Sequence, residues 1–150
     1  MFPTRAARAA RSALAGVAPF DRYDARTLAP LGRHADRLRV GEGTVLAHAG
    51  RPAREVIRVL AGEVSLITPG GVERRGPGTW IGAEPLLART AHRATVVAGA
   101  GVEVLVLPAP AFRWAAQVLP GLVAGVRGPA SGDVPEPPER ALGTAPVTTP

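Results

Sequence analysis

Residues 55–75, EVIRVLAGEVSLITPGGVERR, decide how this chain folds. Apolar residues dominate two runs in this stretch, 55–61 and 63–68, and Gly62 separates the runs. Pro69-Gly70-Gly71 follows the second run and is typical of a tight hairpin, because proline presets one turn dihedral and glycine accepts a positive φ. Short β-prone runs divided by glycine predict an antiparallel sandwich or barrel.

The same pattern extends to both sides of this stretch. Further strands are predicted at 37–40, 44–47, 72–75, 93–98 and 102–107. Asp24 predicts the N-cap of a helix over 25–34, and apolar residues at helical spacing predict another helix over 109–119. Trp114 does not fall on the apolar face of that second helix, so we expect it to be partly exposed. The sequence therefore predicts a mainly β chain with flanking helices.

Composition divides the chain into three segments. Residues 1–19 are rich in arginine and alanine, and the segment precedes the first acidic residue, Asp21. A transit peptide can have this composition, but arginines spaced three apart favour a short helix. Residues 20–124 are predicted to form one domain. Residues 125–150 are rich in Pro, Gly and Thr, so they are predicted to be disordered, because they can bury little apolar surface.

Charge and cysteine content exclude several classes of function. The chain has 150 residues and no cysteine, which excludes disulfides, thiolate metal sites and cysteine nucleophiles. Its formal net charge is +6, but the arginines are dispersed, so no specific nucleic-acid partner is predicted. No apolar run reaches the roughly 18 residues of a transmembrane helix. We therefore expect a cytoplasmic protein with no membrane contact.

Glycines and apolar residues follow one another in a characteristic order. The marked residues are Val40-Gly41-Glu42-Gly43, Gly50, Leu60-Ala61-Gly62-Glu63-Val64, Gly76-Pro77-Gly78-Thr79-Trp80-Ile81-Gly82, Leu86-Leu87, Ala94-Thr95-Val96-Val97-Ala98 and Phe112. This ordered set resembles the cyclic-nucleotide-binding domain of the catabolite activator protein and of protein kinase regulatory subunits. The resemblance implies a jelly-roll-like β-barrel of the cyclic-nucleotide-binding type. It also implies a regulatory role in signal transduction.

The resemblance also implies where a ligand would bind. In the family, a Gly-Glu pair, a short helical turn and a later arginine grip the ribose hydroxyl and the cyclic phosphate. Ala83 occupies the glutamate position here and His92 the arginine position. The expected residue types each come one place later, as Glu84 and Arg93. The implied ligand-binding residues are Gly82, Ala83, Glu84, Leu86, Leu87, His92, Arg93, Ala94 and Thr95.

The leading hypothesis is a non-catalytic regulatory or ligand-sensing domain with a divergent phosphate cassette and weak or absent cyclic AMP binding. No cofactor is expected, and the expected partners are a small anionic ligand and an unidentified protein. One alternative is a sensor that grips another anionic ligand with Glu84 and Arg93, although both residue types are commonly solvated in such positions. Another is a relic of a transcription factor that lacks its DNA-binding domain. A cupin-like metal enzyme ranks last, because the three histidines are isolated in sequence.

Overall fold

The protein is a sandwich of two four-stranded antiparallel sheets with helices against one outer face. The computed structural model describes Leu14 and residues 16–127. The strands are β1 (Asp36–Val40), β2 (Val45–Ala47), β3 (Glu55–Ala61), β4 (Val64–Thr68), β5 (Gly71–Arg75), β6 (Trp80–Ile81), β7 (Thr95–Ala98) and β8 (Val102–Pro108). One sheet has the strand order β1-β8-β3-β6 and the other β2-β7-β4-β5.

This arrangement confirms the jelly-roll-like fold but not a closed barrel. A barrel would need an edge strand of one sheet to pair with an edge strand of the other. The strand pairs of the described residues stay within each sheet, so the two sheets face each other as separate layers. One apolar core, to which both sheets contribute, fills the space between them.

The apolar run of β3 is buried on both sides of its sheet. Ile57 and Val59 point into the core between the sheets, whereas Val56 packs into a second core beneath the helices. Successive side chains of a strand point to opposite faces, so a strand covered on both faces reads as a continuous apolar run. This double burial explains why residues 55–61 alternate so little in polarity.

Between residues 16 and 127, four short helices flank the first sheet. They are α1 (Ala25–Gly32), α2 (Ala83–Ala88), α3 (Ala109–Val118) and α4 (Leu122–Val126), and a 3-10 turn at Phe20–Arg22 precedes them. The predicted N-cap is confirmed, because the Asp24 carboxylate accepts a hydrogen bond of 2.7 Å from the Thr27 backbone N–H. Hydrogen bonding by the Thr27 side chain, and then by the Thr27 backbone, lowers the pKa of Asp24 below its ordinary value. None of the helices in the described part is long and apolar enough to cross a membrane.

An aromatic cluster joins the helices to the sheet. The Trp80 ring of β6 meets the Phe20 ring edge-on, with centroids 5.9 Å apart. The Phe112 ring of α3 lies 6.4 Å from the Trp80 ring on a tilted plane. The Arg58 guanidinium covers the Trp80 ring at 4.9 Å from its centroid. Trp114 is 38% exposed, which confirms that it lies off the apolar face of α3.

Gly62 carries the chain from the first sheet to the second. It adopts φ +80, and a Cβ atom there would lie 2.8 Å from the Gly101 carbonyl oxygen and 2.8 Å from Val102 Cα. Both neighbours are backbone atoms that cannot move aside cheaply. Glycine is required at this crossing by the dihedral angle and by the space.

The hairpin between β4 and β5 is formed as predicted. Thr68 pairs with Gly71, so Pro69 and Gly70 form a two-residue loop. The residues of β5 are exposed or half-buried, which places this strand at the edge of its sheet and away from the core.

Several predicted boundaries differ from the structure by one or two residues, and two of them bear on the candidate site. Strand β7 begins at Thr95, two residues later than the predicted start at Arg93, because residues 92–94 form a loop that packs against another turn. Helix α4 continues past the domain boundary predicted at residue 124, and its last residue, Val126, is fully buried. The helix predicted within 1–19 lies outside the described residues except for Leu14 and 16–19, and the tail beyond Arg127 lies outside them altogether.

Candidate functional site

The candidate site is built around the start of α2. Gly82 is the N-cap of this helix, in the left-handed conformation with φ +88. A Cβ atom at this position would lie 2.6 Å from the Glu55 carbonyl oxygen, so a larger residue would push β3 away from α2. The glycine that the family resemblance singled out therefore has a local physical reason to be glycine.

His92 lies directly against this glycine. Its Cε1 atom is 3.3 Å from the position that a Cβ atom would occupy at Gly82. Two backbone hydrogen bonds of 2.9 Å hold His92 in place, one donated by the Gly50 N–H to the His92 carbonyl and one donated by the His92 N–H to the Arg51 carbonyl. His92, which the family resemblance aligns with an arginine, therefore lies next to the start of the helix.

The environment of His92 favours its neutral form. Burial lowers its pKa below the ordinary value, and the nearby His48 lowers the pKa further by charge repulsion. A neutral imidazole offers a hydrogen bond but no positive charge to an anion. At neutral pH the position beside Gly82 therefore lacks the full charge that an arginine would supply.

Two small residues of the predicted site are buried in different cores. Ala83, the first residue of α2, is 0% exposed and belongs to the core beneath the helices. Ala94, just before β7, belongs to the core between the sheets. Leu86 is buried with Ala83, and Leu87 is half-buried beside it.

The Thr95 hydroxyl accepts a hydrogen bond of 3.1 Å from the Ala49 N–H.

Glu84 is held by an arginine that the sequence analysis did not consider. Arg127 donates two hydrogen bonds to its carboxylate, of 2.7 Å from Nε and 2.9 Å from Nη2. The pair joins α2 to the residue that follows α4. Sequence reasoning missed it because residue 127 lay beyond the predicted domain boundary, and only the helical spacing of Leu122 and Val126 could have indicated that the fold continues there.

Arg93 follows His92 in the loop and is exposed. Because β7 begins only at Thr95, strand alternation does not fix the direction of the Arg93 side chain. The structure thus brings Gly82, Ala83 and His92 together and engages Glu84 with Arg127.

The pKa of His92 makes stability depend on pH. Because the folded pKa lies below the ordinary value of about 6.5, the unfolded chain binds more protons than the folded one as the pH falls through that value. We therefore expect the melting temperature to fall between pH 7.5 and pH 5.5, and to fall less in a His92→Gln variant. Thermal unfolding at several pH values measures this difference, and an equal decrease in both proteins would contradict it. His34→Gln, at an exposed histidine, is the matched control.

Comparisons with solved structures place this geometry among known proteins. A cAMP-binding acyltransferase from Mycobacterium smegmatis, in a singly substituted form, is 29% identical, with a TM-score of 0.64 over 79% of this chain and 39% of that one. The regulatory domain of Toxoplasma gondii protein kinase A with cAMP is 17% identical, with a TM-score of 0.66 over 80% of this chain and 48% of that one. The regulatory subunit of a cAMP-independent protein kinase A from Trypanosoma brucei is 19% identical, with a TM-score of 0.68 over 84% of this chain and 49% of that one.

This chain therefore spans only 39% to 49% of the length of these three proteins. A comparison with curated proteins returned no match. The family model of the cyclic nucleotide-binding domain matches residues 37–118, more than half of the chain. With the fold and the matched segment in agreement, this chain belongs to the cyclic nucleotide-binding domain family.

Proposed function

We propose that this chain is a non-catalytic regulatory domain whose phosphate cassette binds cyclic AMP weakly or not at all. The observation that carries the proposal is the pair Ala83 and His92, which the family resemblance aligns with a glutamate and an arginine; Ala83 follows Gly82 in sequence, and His92 lies against Gly82. The fold of the family is retained, while the two side chains that would contribute most to ligand affinity are replaced.

The replacement at position 83 removes the acceptor for the ribose hydroxyl. A glutamate at the first position of a helix would present its carboxylate beside the ligand and would also be favoured by the helix dipole. Ala83 offers a methyl group instead, and it is fully buried against apolar neighbours. A bound ribose would therefore lose one charge-assisted hydrogen bond at this position.

The replacement at position 92 removes the positive charge that would face the phosphate. Burial and His48 keep His92 neutral at physiological pH. Truncating one partner of a buried charged pair costs on the order of 2–5 kcal/mol. On that scale a site of micromolar affinity moves toward the millimolar range.

One of the similar structures supports the idea that a few residues on this fold decide cyclic AMP binding. The Trypanosoma brucei regulatory subunit belongs to a cAMP-independent protein kinase A, and a triply substituted form of it, in which one substitution introduces an arginine, is bound to cAMP. On this chain the corresponding expectation is a folded domain that lacks only the charged groups of its cassette.

The alternative is an active sensor of another anionic ligand that uses Glu84 and Arg93. The observation in its favour is that both charges persist one residue beyond the family positions. Such a site would require Glu84 to exchange Arg127 for the ligand, because two hydrogen bonds already occupy its carboxylate. That exchange lowers the net gain from binding, which makes the first proposal the better supported one.

Isothermal titration calorimetry of the full chain with cyclic AMP and cyclic GMP tests the proposal. We expect no saturable heat at ligand concentrations that would fill a site of low-micromolar affinity, because neither nucleotide would meet a carboxylate at 83 or a cation at 92. Low-micromolar binding of either nucleotide would contradict the proposal. If that binding disappeared on Glu84→Gln substitution, Glu84 would be a ligand-binding residue, as in the alternative, and the ligand would be a cyclic nucleotide.

A further inference from the structure

A surface cleft lies at the C-terminal end of α2, at the opposite end of the helix from Gly82. Its volume is about 580 Å³, which is within the range of about 300–1,000 Å³ typical of small-molecule sites. Apolar residues form more than half of the lining, which includes the buried Ala53 and Leu86 and two prolines. The residues that line it are Pro52, Ala53, Pro85, Leu86, Arg89, Thr90, Ala91 and Arg113.

Two arginines from different elements meet at this cleft. Arg89 follows the last residue of α2, and Arg113 lies on α3, and both side chains are exposed. Neither guanidinium has a hydrogen bond or an ion pair with another of the described residues. Arg37 and Arg75 are each paired with a glutamate, whereas the exposed Arg39, like Arg89 and Arg113, has no such pairing among the described residues.

Arg89 occupies this place at a cost in backbone energy. It adopts φ +58 and ψ +44 at the C-terminus of α2. Among the described residues, no other residue except glycine has a positive φ. Glycine or asparagine is usual at such a left-handed position, because a Cβ atom is strained there. Strained residues tend to cluster at functional sites. An arginine kept where glycine would be more stable therefore indicates that its side chain is useful.

We propose that this cleft is a second binding site, which takes a small organic anion with an apolar body and a phosphate or carboxylate group. The apolar floor accommodates the body, and the two guanidinium groups bind the anionic group from α2 and α3. Arginine suits this chemistry, because its planar fork of N–H donors matches the oxygens of carboxylates and phosphates. The Thr90 hydroxyl lies in the same wall and offers a further donor.

This site shares Leu86 with the ligand-binding residues that the family resemblance implies, and its Ala53 lies 3.7 Å from the position that a Cβ atom would occupy at Gly82, but the loss of cyclic AMP binding is argued from other side chains. It uses none of the three residues Gly82, Ala83 and His92, and it is formed by the other end of α2. A failure at one end of the helix therefore leaves the proposal about the other end unaffected.

Titration of the full chain with phenyl phosphate, followed by NMR of the arginine Nε–Hε groups, tests the proposal. We expect saturable shifts of Arg89 and Arg113, and we expect Arg113→Gln to weaken the apparent affinity about tenfold, as for loss of a charged hydrogen bond. Arg39→Gln, at an exposed arginine on β1, is the matched control and should leave the affinity unchanged. Equal, unsaturable shifts at Arg39 and Arg113 would overturn the proposal, since they would indicate only unspecific attraction.

An Arg89→Gly variant separates binding from structure. Glycine relieves the left-handed backbone, so we expect a higher melting temperature together with weaker phenyl phosphate binding. A lower melting temperature with unchanged affinity would mean that Arg89 has a structural role, and it would overturn the proposal.

A Glu-rich hexapeptide is titrated in parallel. Saturable binding of the peptide without binding of phenyl phosphate would also overturn the proposal, because the occupant would then be a polypeptide.

Discussion

The double variant Ala83→Glu/His92→Arg is expected to bind cyclic AMP at least about a hundredfold more tightly than the natural chain. The glutamate restores an acceptor at the first position of α2, and the arginine restores a permanent cation beside Gly82. Each charge-assisted contact recovered is worth on the order of 2–5 kcal/mol, and about 1.4 kcal/mol changes an affinity tenfold. Gly82 already adopts the left-handed conformation before α2, and the two substitutions leave this glycine unchanged.

Calorimetry and thermal unfolding measure this gain. The empty double variant should melt at a lower temperature than the natural chain, because the new carboxylate replaces a fully buried methyl group. Cyclic AMP should raise that melting temperature, since a ligand that binds only the folded state stabilises it.

The matched control for this variant is Ala88→Glu/His34→Arg, which introduces the same residue types at exposed positions. It should gain no affinity for cyclic AMP. If the first variant folds and gains no affinity for cyclic AMP over the natural chain, residues 83 and 92 do not limit the binding of cyclic AMP.

A Phe112→Ala variant should lose about 3–5 kcal/mol of unfolding free energy. Phe112 is 0% exposed, and its ring holds α3 against Trp80 on the first sheet. Removing the ring leaves a cavity in the core beneath the helices, which the surrounding side chains can fill only in part. For a domain of this size the melting temperature should fall by more than about 10 °C.

Trp114→Ala on the same helix is the matched control for this prediction. It removes a larger side chain that is 38% exposed, so its effect should be much smaller. Chemical denaturation of both variants gives the comparison. Similar losses for the two would show that α3 is not anchored through Phe112 and that the aromatic cluster contributes less than its burial suggests.

Most of the fold could be predicted from the sequence because its signals are local. Strand β3 has its predicted bounds, and the two-residue loop at Pro69 and Gly70 follows from turn chemistry alone. Strand β6 was not predicted, since two residues carry no periodic pattern, and its Trp80 and Ile81 pair with β3 only in the folded chain. The prediction of a closed barrel was wrong for a similar reason, because no single segment of the sequence indicates which edge strands pair.

The candidate site was predictable in its residue types and not in its contacts. The substitutions at 83 and 92 are visible in the sequence beside the family pattern. The contact between Gly82 and His92 depends on a loop held by Gly50 and Arg51, about forty residues away in sequence. The pairing of Glu84 with Arg127 spans 43 residues and joins two short helices. Such long-range contacts arise from packing, and a single sequence carries no local signal for them.

The hairpin of β4 and β5 has a practical consequence for handling this protein. Its loop at Pro69 and Gly70 is exposed, and β5 contributes little to either core. Exposed loop tips of this kind tolerate insertions well. A cysteine introduced at Gly70 would be the sole thiol of the chain, so a fluorophore could be attached there at a single position. The fluorophore would lie on the second sheet, whereas α2 and the cleft lie against the first. A ligand titration could therefore be followed without contact between the fluorophore and α2 or the cleft.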